Sequence, residues 1–221
     1  MTEKENATSL KYNIKLDFKE EIGNVITHGV MAFLFIAALP IVAIYGYLQG
    51  GVLLATGQSI FIISLFLMFL SSALYHAMDF NSKHKYVFRI LDHVFIYVAI
   101  AGTYTPIALY LLGGTTGLII LGIQWTCAIV GIIYKSSLRK SIHGLSLALY
   151  LVMGWSAVFF LPQLLTQTSP VFLSLIIAGG ISYSIGAWFY AQKERPYFHM
   201  IWHLFINLAS IYHFIAIVFF M

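Results

Sequence analysis

Two histidines stand four residues apart, His199 and His203, in the stretch RPYFHMIWHLF. On a helix that spacing sets both imidazoles on one face, a geometry that chelates a single metal ion. A third histidine, His76, follows Ser72 by four positions in SSALYHAMDF, and Asp92 supplies a carboxylate in RILDH. Three neutral imidazoles with one open coordination position form the ligand pattern of a catalytic zinc. The charges suit it, since Zn²⁺ with one carboxylate and one hydroxide is neutral, as a low-dielectric site requires. Imidazole suits zinc, but nitrogen ligands alone leave other first-row metals open. The bland alternatives are boundary histidines at a membrane interface and an Asp92 that pairs with Arg89 or Lys85.

Residues this far apart meet only if the elements carrying them converge. The chain has 221 residues, 60% hydrophobic and 9% charged, with mean hydropathy +0.88. A soluble domain carries about 25% charged residues, so too little polar material is present to cover a water-facing surface. Apolar runs near the roughly 20 residues that cross a bilayer recur along the chain. They lie at about 24–47, 52–77, 90–111, 116–134, 143–161, 170–190 and 199–220. Continuous apolarity without alternation favours helices over a barrel. The expected fold is therefore an all-α integral membrane protein, a seven-transmembrane helix bundle at 23–221 behind an N-terminal segment at 1–22. Turn residues mark the connectors QGG at 49–51, LGGTTG at 112–117 and LPQLLTQTSP at 161–170.

All 12 lysines and arginines precede the first run or fall between runs two and three, four and five, or six and seven. The positive-inside rule then places the N-terminus in the cytoplasm and the C-terminus outside. That topology sets His76, Asp92, His199 and His203 at one depth, near the cytoplasmic leaflet. The net charge of +4 is spent on topology, which speaks against a nucleic-acid partner. The polar start lacks the short apolar core and cleavage site of a signal peptide. Cys127, the single cysteine, excludes an intrachain disulfide and is expected in the core.

Three blocks of sequence resemble the haemolysin III family, the bacterial branch of the progestin and adiponectin receptor family. The first is EEIGNVITH, with Glu21, Asn24 and His28 in the pattern E-x-x-N-x-x-x-H. The second joins SSALYH to the aspartate of RILDH, and the third is HMIWH. GTYTP at 102–106 and YLVMGW at 150–155 are similar to the bacterial branch in particular. The resemblance covers nearly the whole chain from Glu20 and implies a seven-helix bundle with its N-terminus inside. It implies zinc held by His76, His199 and His203, with Asp92 and Ser72 contacting the zinc-bound water. Related alkaline ceramidases suggest hydrolysis of a lipid amide or ester, with membrane lipid as substrate or ligand and a multi-pass place in the bacterial plasma membrane.

On that reading zinc supplies a water ionised near neutral pH, and Asp92 orients the water and takes its proton. Ser72 hydrogen-bonds Asp92 or the water, or donates to the developing oxyanion. A lipid-homeostasis regulator or receptor with structural zinc is the alternative. A cytolytic pore is the third reading, against which no polar stripe lines a channel. A transporter ranks last, since the ionisable residues cluster at one leaflet. Oligomeric state stays open.

The remaining polar residues receive quieter roles. Glu21, Asn24 and His28 read as a polar brace holding the first span near the site. His84 and His143 read as solvated, and His93 lies about 100° around the helix from Asp92. His213 sits in the outer half of the last span. Pro106, after Gly102, is expected to kink its helix, either opening a lateral gap for a lipid chain or simply packing.

Overall fold

The structure, a computed structural model, describes residues 15–137, 143–192 and 195–221. Most of the polar N-terminal segment and the cations Lys4, Lys11, Arg139, Lys140 and Lys193 lie outside the described residues. Within them every regular element is helical. Six helical segments are long and apolar enough to cross a membrane.

The first, α1 (Phe18–Ala77), has 60 residues. A straight helix of that length would measure about 90 Å, three times the hydrocarbon core. Instead Glu21 meets His76, 55 positions later, within hydrogen-bond distance. The reversal sits in the QGG connector, where Gly50 (φ −146°, ψ 18°) and Gly51 (φ 69°, ψ −160°) leave helical geometry. The Gly51 conformation is one that essentially only glycine adopts. Element α1 is thus a hairpin, an outgoing arm packed against a returning arm, as the stacked rings of Phe35 and Phe69 show (5.6 Å).

Helix α2 (Lys83–Pro106) starts at Ser82, whose hydroxyl accepts from the Lys85 backbone N–H at 3.1 Å. At Pro106, which lacks the N–H for α-helical bonding, the α-helix passes into a π-helical turn, Ile107–Leu112. The expected break at Pro106 takes that form. Gly113 and Gly114, both at positive φ, then reverse the chain into α3 (Gly114–Ser137).

Helix α4 (His143–Trp155) tightens into a 3₁₀ stretch, Ser156–Phe160, and resumes as α5 (Leu161–Gln167). The stretch at 161–170 was expected to be a connector, but its first seven residues extend the span to Gln167. Pro162 is tolerated because it opens a new helix, where its missing N–H is unneeded. Helices α6 (Pro170–Ala191) and α7 (Phe198–Phe219) complete the bundle.

The returning arm of α1 is the central element. Phe61, Ile62, Leu65 and Phe69 recur at helical spacing and are fully buried. Helix α1 packs on α2 and α7, α2 on α3, and α6 on α7. The outer surface is as apolar as the core: Ile41 is 70%, Leu118 65% and Phe159 89% exposed. Such a surface suits lipid, which matches it without a desolvation cost. Cys127, expected in the core, is exposed on this surface. Helix α3 lies at the periphery, so an apolar position there faces outward as readily as inward.

Candidate metal centre

The bundle brings the start of α1, its end, the first turns of α2 and the start of α7 to one point. Helical spacing aligns the side chains on each element: Glu21, Asn24 and His28 on the outgoing arm, Ser72 and His76 on the returning arm, and His199 and His203 on α7. The ligand atoms of His76, His199 and His203 all lie within 4.8 Å of one another, a grouping able to hold a metal ion. The Nε2 atoms of His76 and His199 face each other at 3.1 Å. Two nitrogens about 2.0–2.1 Å from one tetrahedral ion sit roughly 3.3 Å apart, so this separation is close to that of a ligand pair. His203 is fully buried and, among the described residues, neither ring nitrogen has a hydrogen-bond partner of good geometry. A buried imidazole without partners is costly, and a bound cation would satisfy it. The donor set and the orphaned nitrogens both fit zinc.

The outgoing arm of α1 supports these rings. Glu21 Oε2 lies 2.5 Å from His76 Nδ1, and the Asn24 amide lies 3.4 Å from the same nitrogen. A carboxylate accepts, so His76 Nδ1 carries the proton and Nε2 keeps its lone pair for a metal. His28 stacks on His203 with centroids 3.5 Å apart and planes within 6°, while its edge meets Phe69 at 4.9 Å. His28 is also buried with both nitrogens unpartnered, but it stands outside the three-histidine group.

Asp92 is buried; its Oδ2 lies 3.6 Å from His93 Nδ1, Ser72 hydrogen-bonds it, and His76, Lys135 and Arg89 act on it electrostatically. Lys85, one of the two cations expected to pair with it, is bound to Glu21 instead, Nζ to Oε1 at 2.7 Å. Asp92, Ser72 and His28 line one end of a cavity of about 310 Å³. Its remaining walls are mostly apolar and include Ile96, Tyr104, Leu164 and Phe172, with His213 towards the far end. Along α7 the cavity lining runs from Trp202 to His213, eleven residues or about 16 Å. Exposed lining residues, Trp155, Val158 and Ile177, open it towards the outer surface.

His93 stands outside the three-histidine group, although its Nδ1 is 3.6 Å from Asp92 Oδ2. Its Nδ1 lies 2.7 Å from the Arg89 carbonyl and its Nε2 3.1 Å from the Tyr190 hydroxyl. His84 is exposed in the first turn of α2, whereas the side chain of His143 lies outside the described residues. Lys85 was missed as a member of the site by reading it only as a topology signal or a partner for Asp92. Its position was legible in principle: it precedes Asp92 by seven residues, two helical turns, and so shares its buried face.

An all-helical, multi-pass membrane protein with three converging imidazoles and an adjoining apolar cavity is the class that this fold and site define. Residues 16–214 match the family described as haemolysin-III related, and the chain belongs to that family. The hemolysin-3 homolog of Bacillus subtilis (strain 168) is 41% identical over 202 residues, 91% of this chain and 94% of that protein. Hemolysin-3 of Bacillus cereus is 40% identical over 202 residues, 91% and 92% of the two chains. The human monocyte to macrophage differentiation factor is 28% identical over 203 residues, 90% of this chain and 83% of that protein. This more distant relative connects the chain to the progestin and adiponectin receptor family.

Proposed function

We propose that the protein is a zinc-dependent hydrolase of lipid amides or esters, resident in the bacterial plasma membrane. On this reading the two arms of α1 each cross the bilayer, giving seven spans with the N-terminus cytoplasmic and the C-terminus outside. The observation that carries it is that Asp92, on which His76 of the three-imidazole cluster acts, and Ser72 both line one end of an apolar cavity that follows α7 for about 16 Å. The length and walls of the cavity suit an acyl chain, and its exposed margin at Trp155 and Val158 would admit the chain from the lipid phase.

Bound zinc would supply Lewis acidity and lower the pKa of a coordinated water. His76, His199 and His203 would hold the ion. Asp92 would orient the attacking water and accept its proton, then return that proton to the leaving amine or alcohol. Ser72, buried and hydrogen-bonded to Asp92, would hold that carboxylate towards the water, or donate to the carbonyl oxygen as negative charge develops. Glu21, Asn24 and His28 brace the outgoing arm of α1 against the cluster.

The test is turnover of ceramide-like and lysolipid substrates by purified protein in lipid, with and without chelator. Metal content is measured in parallel. Wild-type protein should hold about one zinc per chain and lose activity with it. Asp92→Asn should keep the metal while turnover falls about 10²- to 10⁴-fold. Zinc retained without any turnover would replace the enzyme with a lipid-responsive regulator carrying structural zinc. Leakage of dye from liposomes at the protein's own working density would favour a cytolytic pore.

A further inference from the structure

Lys85 is 3% exposed at the first turn of α2, a place from which a lysine ordinarily reaches water. Its ammonium group is held on three sides. Nζ donates to Glu21 Oε1 at 2.7 Å and to the Met78 carbonyl at 3.2 Å, and it lies 4.9 Å from the centre of the Tyr75 ring. The other oxygen of Glu21 takes the His76 Nδ1 proton. Both carboxylate oxygens are therefore engaged, and Glu21 is not in the group of side chains placed to hold an ion.

A buried ion pair is weak support for a fold, because desolvating two charges costs about as much as their attraction returns. Tying α1 to α2 would be done as well by apolar side chains. What apolar side chains cannot do is fix the tautomer and the ring plane of an imidazole. A carboxylate hydrogen-bonded to the far nitrogen of a metal-binding histidine does both, and makes the near nitrogen a better donor. Lys85 balances the charge of that carboxylate and aims it by occupying its second oxygen.

We infer that Lys85 and Glu21 are positioning residues for the metal centre, acting in series through His76 Nδ1 to present Nε2 to the ion. The inference rests on the metal-centre reading above. It joins the start of α1, the end of α1 and the start of α2 in one line, so the ion binds tightly only when the three are docked.

The test is zinc affinity by chelator competition, with the visible spectrum of the cobalt(II)-loaded protein, for full-length chains in lipid nanodiscs. Glu21→Gln and Lys85→Met should each weaken zinc by about 10- to 100-fold, and change the cobalt bands. The double variant should be no weaker than Glu21→Gln alone, since Lys85 acts only through Glu21. Lys85→Arg should restore much of the affinity. Melting of the metal-free variants is recorded alongside. Lower melting with unchanged zinc affinity would make the pair a helix tie only and overturn the inference, as would additive losses in the double variant. If Lys85→Met does not fold, the isosteric Glu21→Gln decides alone. Wild-type protein that binds no zinc would sink the metal-centre reading itself, an outcome distinct from zinc bound equally by every variant.

Discussion

Replacing His203 with leucine separates the stability of the pocket from its use. His203 is fully buried, with neither ring nitrogen in a hydrogen bond of good geometry among the described residues, and each such orphaned group costs about 1–3 kcal/mol. Against this, its face lies on His28 at 3.5 Å, a ring contact worth about 0.5–1.5 kcal/mol. Leucine has similar volume and no polar atoms. The metal-free His203→Leu protein is therefore expected to be at least as stable as metal-free wild type. Zinc reverses the order. At about 1,000 times its Kd a ligand stabilises the folded state by roughly 4.1 kcal/mol, and a site lacking one of three imidazoles should forfeit most of that gain. The assay is unfolding in lipid nanodiscs, first after chelation and then over a zinc titration. Metal-free His203→Leu unfolding about 2 kcal/mol more easily than wild type would refute the reasoning. So would an equal rise with zinc in both proteins.

Two further substitutions test how the fold delivers the site. Gly51→Ala places a side chain at φ 69°, ψ −160° and should destabilise the α1 hairpin by about 1–3 kcal/mol, read by denaturant titration in mixed micelles. Gly57→Leu should cost about 1–3 kcal/mol or more, seen as a lower melting temperature, because even a Cβ there would stand 2.8 Å from the Pro106 Cα.

The site residues were legible because each helix advertises its own face. Spacings of four in Ser72–His76 and His199–His203, and of three and four in Glu21–Asn24–His28, put side chains together whatever the tertiary fold. Apolar runs located the helices for the same local reason, to within three residues at most ends but six or seven residues short at Phe18, Lys83 and Gln167. The misreadings concern one proline-bearing stretch and what a helix packs against. Leu161–Gln167 carries proline and polar residues suggestive of a loop, yet it is helical, since a proline at a helix start removes no needed bond. Cys127 is apolar enough for either core or lipid, and only the peripheral place of α3 decided that it is exposed.

By itself, then, the sequence determined an all-helical membrane chain, the faces of its helices and the candidate ligands. These follow from short-range geometry and from transfer of side chains out of water. Tertiary structure alone decided that Lys85 belongs to Glu21 while Arg89 and Lys135 act on Asp92. Opposite charges on different helices offer many pairings of nearly equal energy when exposed. Burial removes water as a competitor, and the packing of α1 against α2 leaves one of those pairings within reach.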